Sequence, residues 1–527
     1  MYSQNIQPTA LDFTPGFYNY GTFYLTLLKV ATDVTAAYGG GGIDPKNPDS
    51  AWEFIGRSHL TGRCLNVLAG AASALIVFLI LRRFSSDLGA AFGGLFIALA
   101  PAHIVHSRFQ TVDVMAAFLI AASTYFALRI VPQERVAEKL SPMKLSMLSG
   151  SFAGLSAGTK YTGILCLLTL LVVLFAVGGP SKWKLSAIGV ASALIAFLVV
   201  TPGVVLEPKV FWEGFMYETR HVKEGHGLVF EGTSPGFIYH LANIFFGAGL
   251  LMGMLGIAGL FGAVIKRHTW AWGLCAFFVA YYFVIAGAEV KFIRYTLPLY
   301  VGMAVGFGWM IGRSREKGGR WHAVVGLGIL ALGGFFGGGL MSSAKFSLWM
   351  AAPDPRDAAG DFLRAVDDTV GLVSDPWFYS PAIHPALGRR LVYEVGMPQV
   401  AMTAYGDYLD GITSAMQSPK VVRFAPTSAE GQRDLRARID WDERLLSETK
   451  PEYVVFSSFE TEGLSRVKLS ADISSASATI AGRARVFMDR LRTDYLLTRE
   501  FGAADPMVHD MMYVQPKIWV WKRKPDR

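Results

Sequence analysis

Asp113, Lys160, Lys291 and Arg294 are the residues of this chain that could do chemistry on an anionic substrate. Each stands at or beside the end of a long apolar run, so its side chain could reach a membrane surface. Cations there can neutralise a phosphate, arginine as a planar fork and lysine as a point charge. An acid beside them can hold the cations or activate an acceptor hydroxyl. The four positions therefore predict a phosphate-binding site with one catalytic acid, Asp113.

Each of these residues also has a purely structural interpretation. Asp113 stands near the start of a predicted helix, where an acid caps the helix and complements its dipole. Lys160 follows a Gly-Thr turn and could simply extend toward the interface. Lys291 and Arg294 are three residues apart, so they could share one ligand or form an ordinary interfacial pair. The supporting residues are expected among their neighbours in sequence, namely His106, Arg108, Tyr161, Glu289 and Tyr295.

The basic residues that flank the apolar runs assign these candidates to one side of a membrane. Short cytoplasmic loops retain Lys and Arg, whereas exterior loops do not. The loops predicted to be cytoplasmic are 82–83, 129–144, 182–184, 266–267 and 313–320. All the candidates fall in the alternate loops, so the site is predicted on the exterior face. The intervening loop 207–240 is predicted to be a flexible loop that closes over the substrate.

The composition is that of a multi-spanning membrane protein. Of 527 residues, 52% are hydrophobic. Since a span needs ~20 residues, the apolar runs predict about ten crossings. They lie near 64–81, 87–105, 112–130, 145–159, 161–178, 184–203, 241–264, 271–288, 295–312 and 321–343. The net charge of +8 is concentrated at the ends of these runs, so it reflects topology, and no nucleic-acid partner is expected.

Three domains are predicted along the chain. Residues 1–60 form an exterior segment with an interfacial helix at 17–38, and residues 61–345 form the transmembrane domain. Residues 351–527 form an exterior soluble α/β domain. Its predicted elements are helices at 357–366 and 484–500 and strands at 451–458 and 513–522.

No cofactor is predicted from sequence motifs. The chain contains no P-loop, no HExxH and no convincing GxGxxG setting, and the pair His509 and Asp510 is isolated in the sequence. The His and Glu residues of loop 207–240 match no zinc spacing, so no metal ligand is assigned, although a divalent metal stays possible.

The order of several short motifs resembles the dolichyl-phosphate-mannose–protein mannosyltransferase superfamily. Its bacterial members include polyprenyl-phosphate-sugar transferases such as the lipid A aminoarabinose transferase. The resemblance covers roughly residues 10–350, and its order and spacing are more specific than any one motif. The motifs are 13–24, Gly56-Arg57 with Arg63, 100–103, 106–113, 154–161 and 291–298.

The resemblance implies a GT-C fold, here a polytopic α-helical membrane protein with a C-terminal extracytoplasmic α/β domain. It implies transfer of a sugar, with inversion, from a polyprenyl-phosphate donor to a protein, lipid or glycan acceptor at the outer membrane face. In the family an acid of the first exterior loop serves as general base, and a second acid corresponds to Asp113. Cations that bind the donor phosphate correspond to Lys160, Lys291 and Arg294. The expected location is a prokaryotic inner membrane.

The start of the chain departs from the family pattern. The family's first helix and the acidic motif after it have no counterpart, and Asp12 stands too close to the aromatic segment to replace that acid. We expect a further helix upstream. Two alternatives stay open, a lipid-sugar transporter or flippase and a non-catalytic family member. Transporters place polar residues near the membrane midplane, whereas the candidates here cluster at one face, which favours the enzyme.

Overall fold

The computed structural model describes residues 2–39, 49–133, 138–316, 321–366, 368–374, 379–381, 421–422, 440–467, 476–502 and 508–525. Parts of two predicted cytoplasmic loops, 134–137 and 317–320, lie outside these ranges.

The described chain is a large helical region followed by a small sheet domain. The helices of the first region are α1 (Phe23–Gly39), α2 (Asp49–Phe84), α3 (Asp87–Leu99), α4 (Pro101–Ser107), α5 (Val112–Leu128), α6 (Pro142–Ala157), α7 (Leu167–Val177), α8 (Lys182–Val200), α9 (Gly203–Leu206), α10 (Pro208–Glu224), α11 (Gly236–Ala248), α12 (Leu250–Ile265), α13 (Thr269–Ala286), α14 (Leu299–Glu316), α15 (Trp321–Gly333) and α16 (Gly339–Ala351).

Several of these helices are apolar and long enough to cross a membrane. Among the described residues, Glu53–Phe84, Lys182–Val200 and Thr269–Ala286 meet this condition singly. Two bent pairs, α3 with α4 and α11 with α12, raise the number to as many as five. Shorter apolar helices cover Val112–Leu128, Tyr161–Val177 and Trp321–Gly333. Every apolar run predicted to span thus lies largely in helical structure, and the number of about ten crossings stays a prediction.

Breaks in the helices place polar residues at the ends of apolar segments. The chain bends by 58° between α3 and α4, where Pro101 lacks the N–H that would continue the helix. Between α11 and α12 it bends by 111° at Gly249, whose φ is 105°. A 3-10 turn, Ile293–Thr296, joins α13 to α14, and another, Tyr161–Cys166, precedes α7. Residues Gly158 to Lys160 separate this second turn from α6.

Glycine lets the helices of the bundle approach one another closely. A Cβ on Gly89 of α3 would lie 2.3 Å from the carbonyl oxygen of Gly308 in α14, and a Cβ on Gly308 would lie 2.3 Å from the Gly89 carbonyl oxygen. The two backbones therefore touch. Close approach of this kind increases van der Waals contact between helices in lipid, where little hydrophobic drive is available.

The C-terminal domain contains a five-stranded mixed sheet of order β2-β1-β3-β5-β4. Strands β1 and β2 and strands β1 and β3 pair in parallel, while β5 is antiparallel to both β3 and β4. Buried apolar clusters cover both faces of the sheet. The elements are α17 (Pro355–Ala365), β1 (Val370–Leu372), β2 (Val421–Val422), a π-helical turn (Leu445–Thr449), β3 (Tyr453–Ser457), α18 (Ser458–Thr461), α19 (Ala476–Asp494), β4 (Tyr495–Phe501), α20 (His509–Met512) and β5 (Ile518–Arg523).

The fold class predicted from the sequence, a polytopic α-helical membrane protein with a C-terminal α/β domain, is confirmed. Two local predictions were wrong. Residues 484–500 are not one helix, because from Tyr495 onward the chain pairs with β5 as β4. The segment 207–240 is not simply a loop, since α10 occupies Pro208–Glu224.

Candidate functional site

Asp113 lies at the centre of a buried cluster of charges. It stands in the first turn of α5 and is only 5% exposed. One carboxylate oxygen accepts a hydrogen bond from Lys160 Nζ at 2.6 Å, and the other lies 3.6 Å from Arg294 Nε. Two cations more than 130 residues apart in sequence therefore converge on one acid.

Lys160 is positioned by the break after α6. Its backbone is extended, with φ of −147°, and its N–H donates to the Ser156 carbonyl at 2.8 Å. The ammonium lies 3.8 Å from the centroid of the Tyr295 ring, a cation–π contact. The preceding turn is fixed from the other side, since the Phe23 N–H donates to the Gly158 carbonyl at 2.9 Å.

Arg294 lies in the 3-10 turn between α13 and α14. Its Nη1 donates to Asp510 at 3.1 Å, and its guanidinium lies 3.7 Å from the centroid of the Phe292 ring. Burial alone would lower the pKa of this guanidinium, but Asp510 and Asp113 outweigh burial and raise the pKa above its ordinary value. Arg294 is therefore cationic at every relevant pH.

The C-terminal domain contributes Asp510 to this cluster. Asp510 belongs to α20 and is 0% exposed, and its carboxylate also accepts from the backbone N–H of Arg294 at 3.3 Å. The same oxygen lies 3.7 Å from Nε2 of His106, which is buried at the end of α4. The sequence placed His509 and Asp510 apart from the site, because a contact across 216 residues leaves no local pattern.

A cavity of about 650 Å³ opens beside the cluster. Aromatic and aliphatic side chains from α1 form one wall, and polar residues of the α4–α5 connection form another. Its lining includes Tyr20, Tyr24, Leu25, Leu28, Arg63, His106, Gln110, Asp113, Arg294 and Tyr513. A space with an apolar wall and a charged end suits an amphipathic ligand.

The other predicted residues contribute less directly. Lys291 lies in the same loop as Arg294, but its ammonium contacts Thr233 Oγ1 at 3.2 Å and the Ser234 carbonyl at 3.3 Å. Glu289 is largely exposed and lies 3.4 Å from Lys291 Nζ. Arg108 points to α16, where its Nη2 donates to Ser347 at 3.0 Å. These contacts separate Lys291, Glu289 and Arg108 from the ion pairs around Asp113.

Tyr161 connects the cluster to helix α10. Its hydroxyl donates to the Tyr18 carbonyl at 2.7 Å, and its ring packs edge-on against Phe211 and Phe215 of α10. Helix α10 therefore lies over the Lys160 turn. Of the described residues, no group of three or more His, Cys, Asp or Glu side chains is arranged to hold a metal ion.

Comparisons with known proteins add family evidence for part of the chain. Residues 51–205 match the family model described as dolichyl-phosphate-mannose-protein mannosyltransferase. Comparison with curated protein sequences gives no match. The predicted resemblance to this superfamily is confirmed by the family model.

Comparison with solved structures gives two low-similarity matches that cover most of the chain. ArnT from Cupriavidus metallidurans in the apo state has 16% sequence identity and a TM-score of 0.44, covering 96% of this chain and 88% of that chain. The Archaeoglobus fulgidus oligosaccharyltransferase in the apo form has 13% identity and a TM-score of 0.49, covering 91% of this chain and 68% of that chain.

Proposed function

We propose that this protein is an integral-membrane glycosyltransferase that moves a sugar from a polyprenyl-phosphate donor to a hydroxyl of a lipid, glycan or protein acceptor. The observation that carries the proposal is the convergence of Lys160 and Arg294 on Asp113 beside a cavity with an apolar wall. The family model that matches residues 51–205 supports the same reaction class. The proposed site faces the exterior of a prokaryotic inner membrane, in agreement with the basic loops on the other side.

The two cations suit the donor phosphate. An arginine has five N–H donors and a lysine has three, so the contacts to Asp113 and Asp510 leave donors for phosphate oxygens. The apolar wall of the cavity suits the first isoprene units. Lys291 holds residues 233–234 in this proposal, because its ammonium is engaged there.

The catalytic effect comes mainly from charge stabilisation. As the bond from the anomeric carbon to the phosphate oxygen breaks, negative charge grows on the departing polyprenyl phosphate. Lys160 and Arg294, already fixed by buried partners, stabilise that charge without reorganising. Asp113 orients both cations, since its two oxygens face one cation each. A carboxylate held in this way is a weak base, so we assign Asp113 a positioning role.

A transfer assay tests this proposal. The full chain is reconstituted in vesicles with a radiolabelled pool of polyprenyl-phosphate sugars, and label in the acceptor fraction is measured. Lys160→Ala and Arg294→Ala are each expected to lower transfer by about 100- to 1000-fold, the range for loss of one preorganised stabilising group. Arg82→Ala serves as the control, because this exposed cation lies at the far end of α2.

The outcomes separate the enzyme from a transporter. Transfer by the wild type, retained in Arg82→Ala and lost in the two site variants, supports the proposal. If folded wild-type protein moves labelled lipid-sugar across the bilayer but transfers none of it, the protein is a translocator and the proposal is wrong. Equal activity in all four proteins contradicts the assigned site.

A further inference from the structure

Helix α10 presents one stripe of residues to the site. Phe211 and Phe215 contact the Tyr161 ring, with centroid distances of 6.1 Å and 5.1 Å. Further along, the Val222 carbonyl accepts the Glu289 N–H at 2.9 Å. Residues 211, 215, 218 and 222 follow the helical repeat and share one face. Glu218 therefore lies on the face of α10 that packs against Tyr161, the residue next to Lys160.

The placement of α10 is fixed at its start as well. The Tyr18 hydroxyl donates to Glu207 at 2.6 Å, and a Cβ on Gly214 would lie 3.0 Å from the Tyr18 backbone. These contacts and the Val222 contact hold both ends of the helix. Glu218 lies between these two anchored ends, and its side chain is half-buried.

The carboxylate of Glu218 differs from that of Asp113 in its contacts with cations. It is half-buried, and among the described residues only burial and charges, with no hydrogen bond, act on its carboxyl. Burial raises the pKa of its carboxyl above the ordinary 4.5, while Lys160 and His221 lower it, Asp113 raises it and Arg294 lowers it. A carboxylate that is partly dehydrated and free of a direct cation is the better proton acceptor.

The proposed reaction needs such an acceptor. The acceptor hydroxyl oxygen attacks the anomeric carbon, the carbon–oxygen bond to phosphate breaks, and its electron pair leaves with the polyprenyl phosphate. The hydroxyl proton must then go to a base on the side opposite the phosphate. Arg294 and Lys160 both lie against Asp113, and α10 packs on Tyr161, next to Lys160.

We infer that Glu218 is the general base that takes the proton from the acceptor hydroxyl, with α10 forming one wall of the acceptor site. This inference rests on the proposed function. It also explains why a carboxylate occupies the inward stripe of an otherwise aromatic and aliphatic face. The sequence carried a signal for it, since Glu218 falls in the apolar repeat of Phe211, Phe215 and Val222.

The charged and titratable groups around Glu218 come from several elements. On α10 itself His221 is one turn away, and the neighbouring elements present two cations, one acid and three phenols. They are Lys160, Arg294, Asp113, Tyr20, Tyr161 and Tyr295. Burial raises the pKa of the Tyr20 phenol, so this phenol stays neutral as Glu218 titrates.

The test compares Glu218→Gln with Glu213→Gln. Glu213 lies on the same helix but is exposed, so the two variants make the same chemical change on opposite faces. Glu218→Gln is expected to lower the transfer rate by about 100- to 10,000-fold, the usual contribution of a general base. Binding of polyprenyl phosphate, measured by its protection against thermal unfolding, is expected to be unchanged in both variants.

Two further readouts distinguish a base from a structural residue. Wild-type transfer is expected to fall as the pH drops through a midpoint above 4.5, because a protonated Glu218 cannot accept a proton. Added formate is expected to restore part of the activity of Glu218→Ala by supplying a carboxylate. Glu218→Asp, which keeps the carboxylate, is expected to retain measurable transfer if Glu218→Gln does not fold.

The results bear differently on the two proposals. If Glu218→Gln keeps activity within threefold of wild type, or if formate fails to restore Glu218→Ala, the role of Glu218 as base is wrong while the transferase function stands. If wild type binds polyprenyl phosphate but transfers nothing, the proposed function itself is wrong, and this inference falls with it.

Discussion

The two cations that meet at Asp113 are held by different regions of the molecule. Lys160 is fixed within the helical region, by the turn after α6 and by the Tyr295 ring. Arg294 is fixed by Asp510, which belongs to the C-terminal domain. One half of the site is therefore complete when the helices have packed. The other half includes Asp510, so the C-terminal domain contributes a side chain to the proposed site.

Replacing each cation by the other type of basic residue should show the largest difference between the two halves of the site. In Arg294→Lys a single ammonium cannot reach Asp113 and Asp510 together, so transfer is expected to fall on the order of 100-fold. In Lys160→Arg the bond to Asp113 can be kept, and the expected loss is about tenfold. Initial transfer rates at saturating donor measure both. A greater loss in Lys160→Arg would reverse the comparison.

Asp510→Asn should weaken only the half that depends on the C-terminal domain. The neutral amide leaves Arg294 without one of its two buried counterions, and we expect transfer to fall about tenfold, in line with coupling energies of contacting residues. The same substitution in an Arg294→Ala background should add little further loss. Additive losses would mean that Asp510 acts on something other than Arg294.

Gly21→Ala should disturb the half built by the helical region. A Cβ there would lie 2.2 Å from the carbonyl carbon and oxygen of Gly158, two residues before Lys160. Overpacking against backbone costs about 1–3 kcal/mol, so the thermal midpoint in detergent should fall. Gly56→Ala is the matched control, since its Cβ would meet nothing within 4 Å. Equal midpoints for the two variants would contradict the close contact.

Asp489→Asn should have the smallest effect on transfer and on the thermal midpoint. It serves as the control for Asp510→Asn, because it removes one negative charge from an exposed position of the same domain. Asp489 is an exposed acid of α19, and its pair with Arg492 at 3.7 Å is one that contributes less than about 1 kcal/mol. Transfer and thermal midpoint are expected to match wild type. A loss comparable to that of Asp510→Asn would show that the charge of the domain matters, and not the buried contact.

Much of this arrangement could be predicted from the sequence, and the exceptions have physical causes. Apolar runs and basic flanks predicted the helical segments, because lipid constrains length and composition strongly. Asp113, Lys160 and Arg294 were predicted as site residues from their places at the ends of those runs. His106 and Tyr295 were predicted as their neighbours in sequence, and all five lie together. Lys291 could not be distinguished from Arg294 locally, since the direction of each side chain depends on distant partners.

The two acids that the sequence analysis did not assign illustrate different limits. Asp510 is brought to Arg294 by docking of a separate domain, and no spacing in the chain encodes that contact. Glu218 falls in the segment 207–240, which was predicted to be a flexible loop, although it is spaced in the sequence with Phe211, Phe215 and Val222 at a helical repeat. The strand at 495–501 was missed because pairing with β5 outweighed a helical pattern.

The touching backbones of α3 and α14 have a consequence for mutational surveys of this protein. At Gly89 and Gly308 even one added methyl group would collide with a carbonyl oxygen. A saturation library scored by growth would thus record these two positions as intolerant of every replacement, just as it would record Arg294. Intolerance alone would place a false active centre between α3 and α14. A library scored separately for protein abundance and for activity would distinguish glycines that are needed for helix packing from residues that act on substrate.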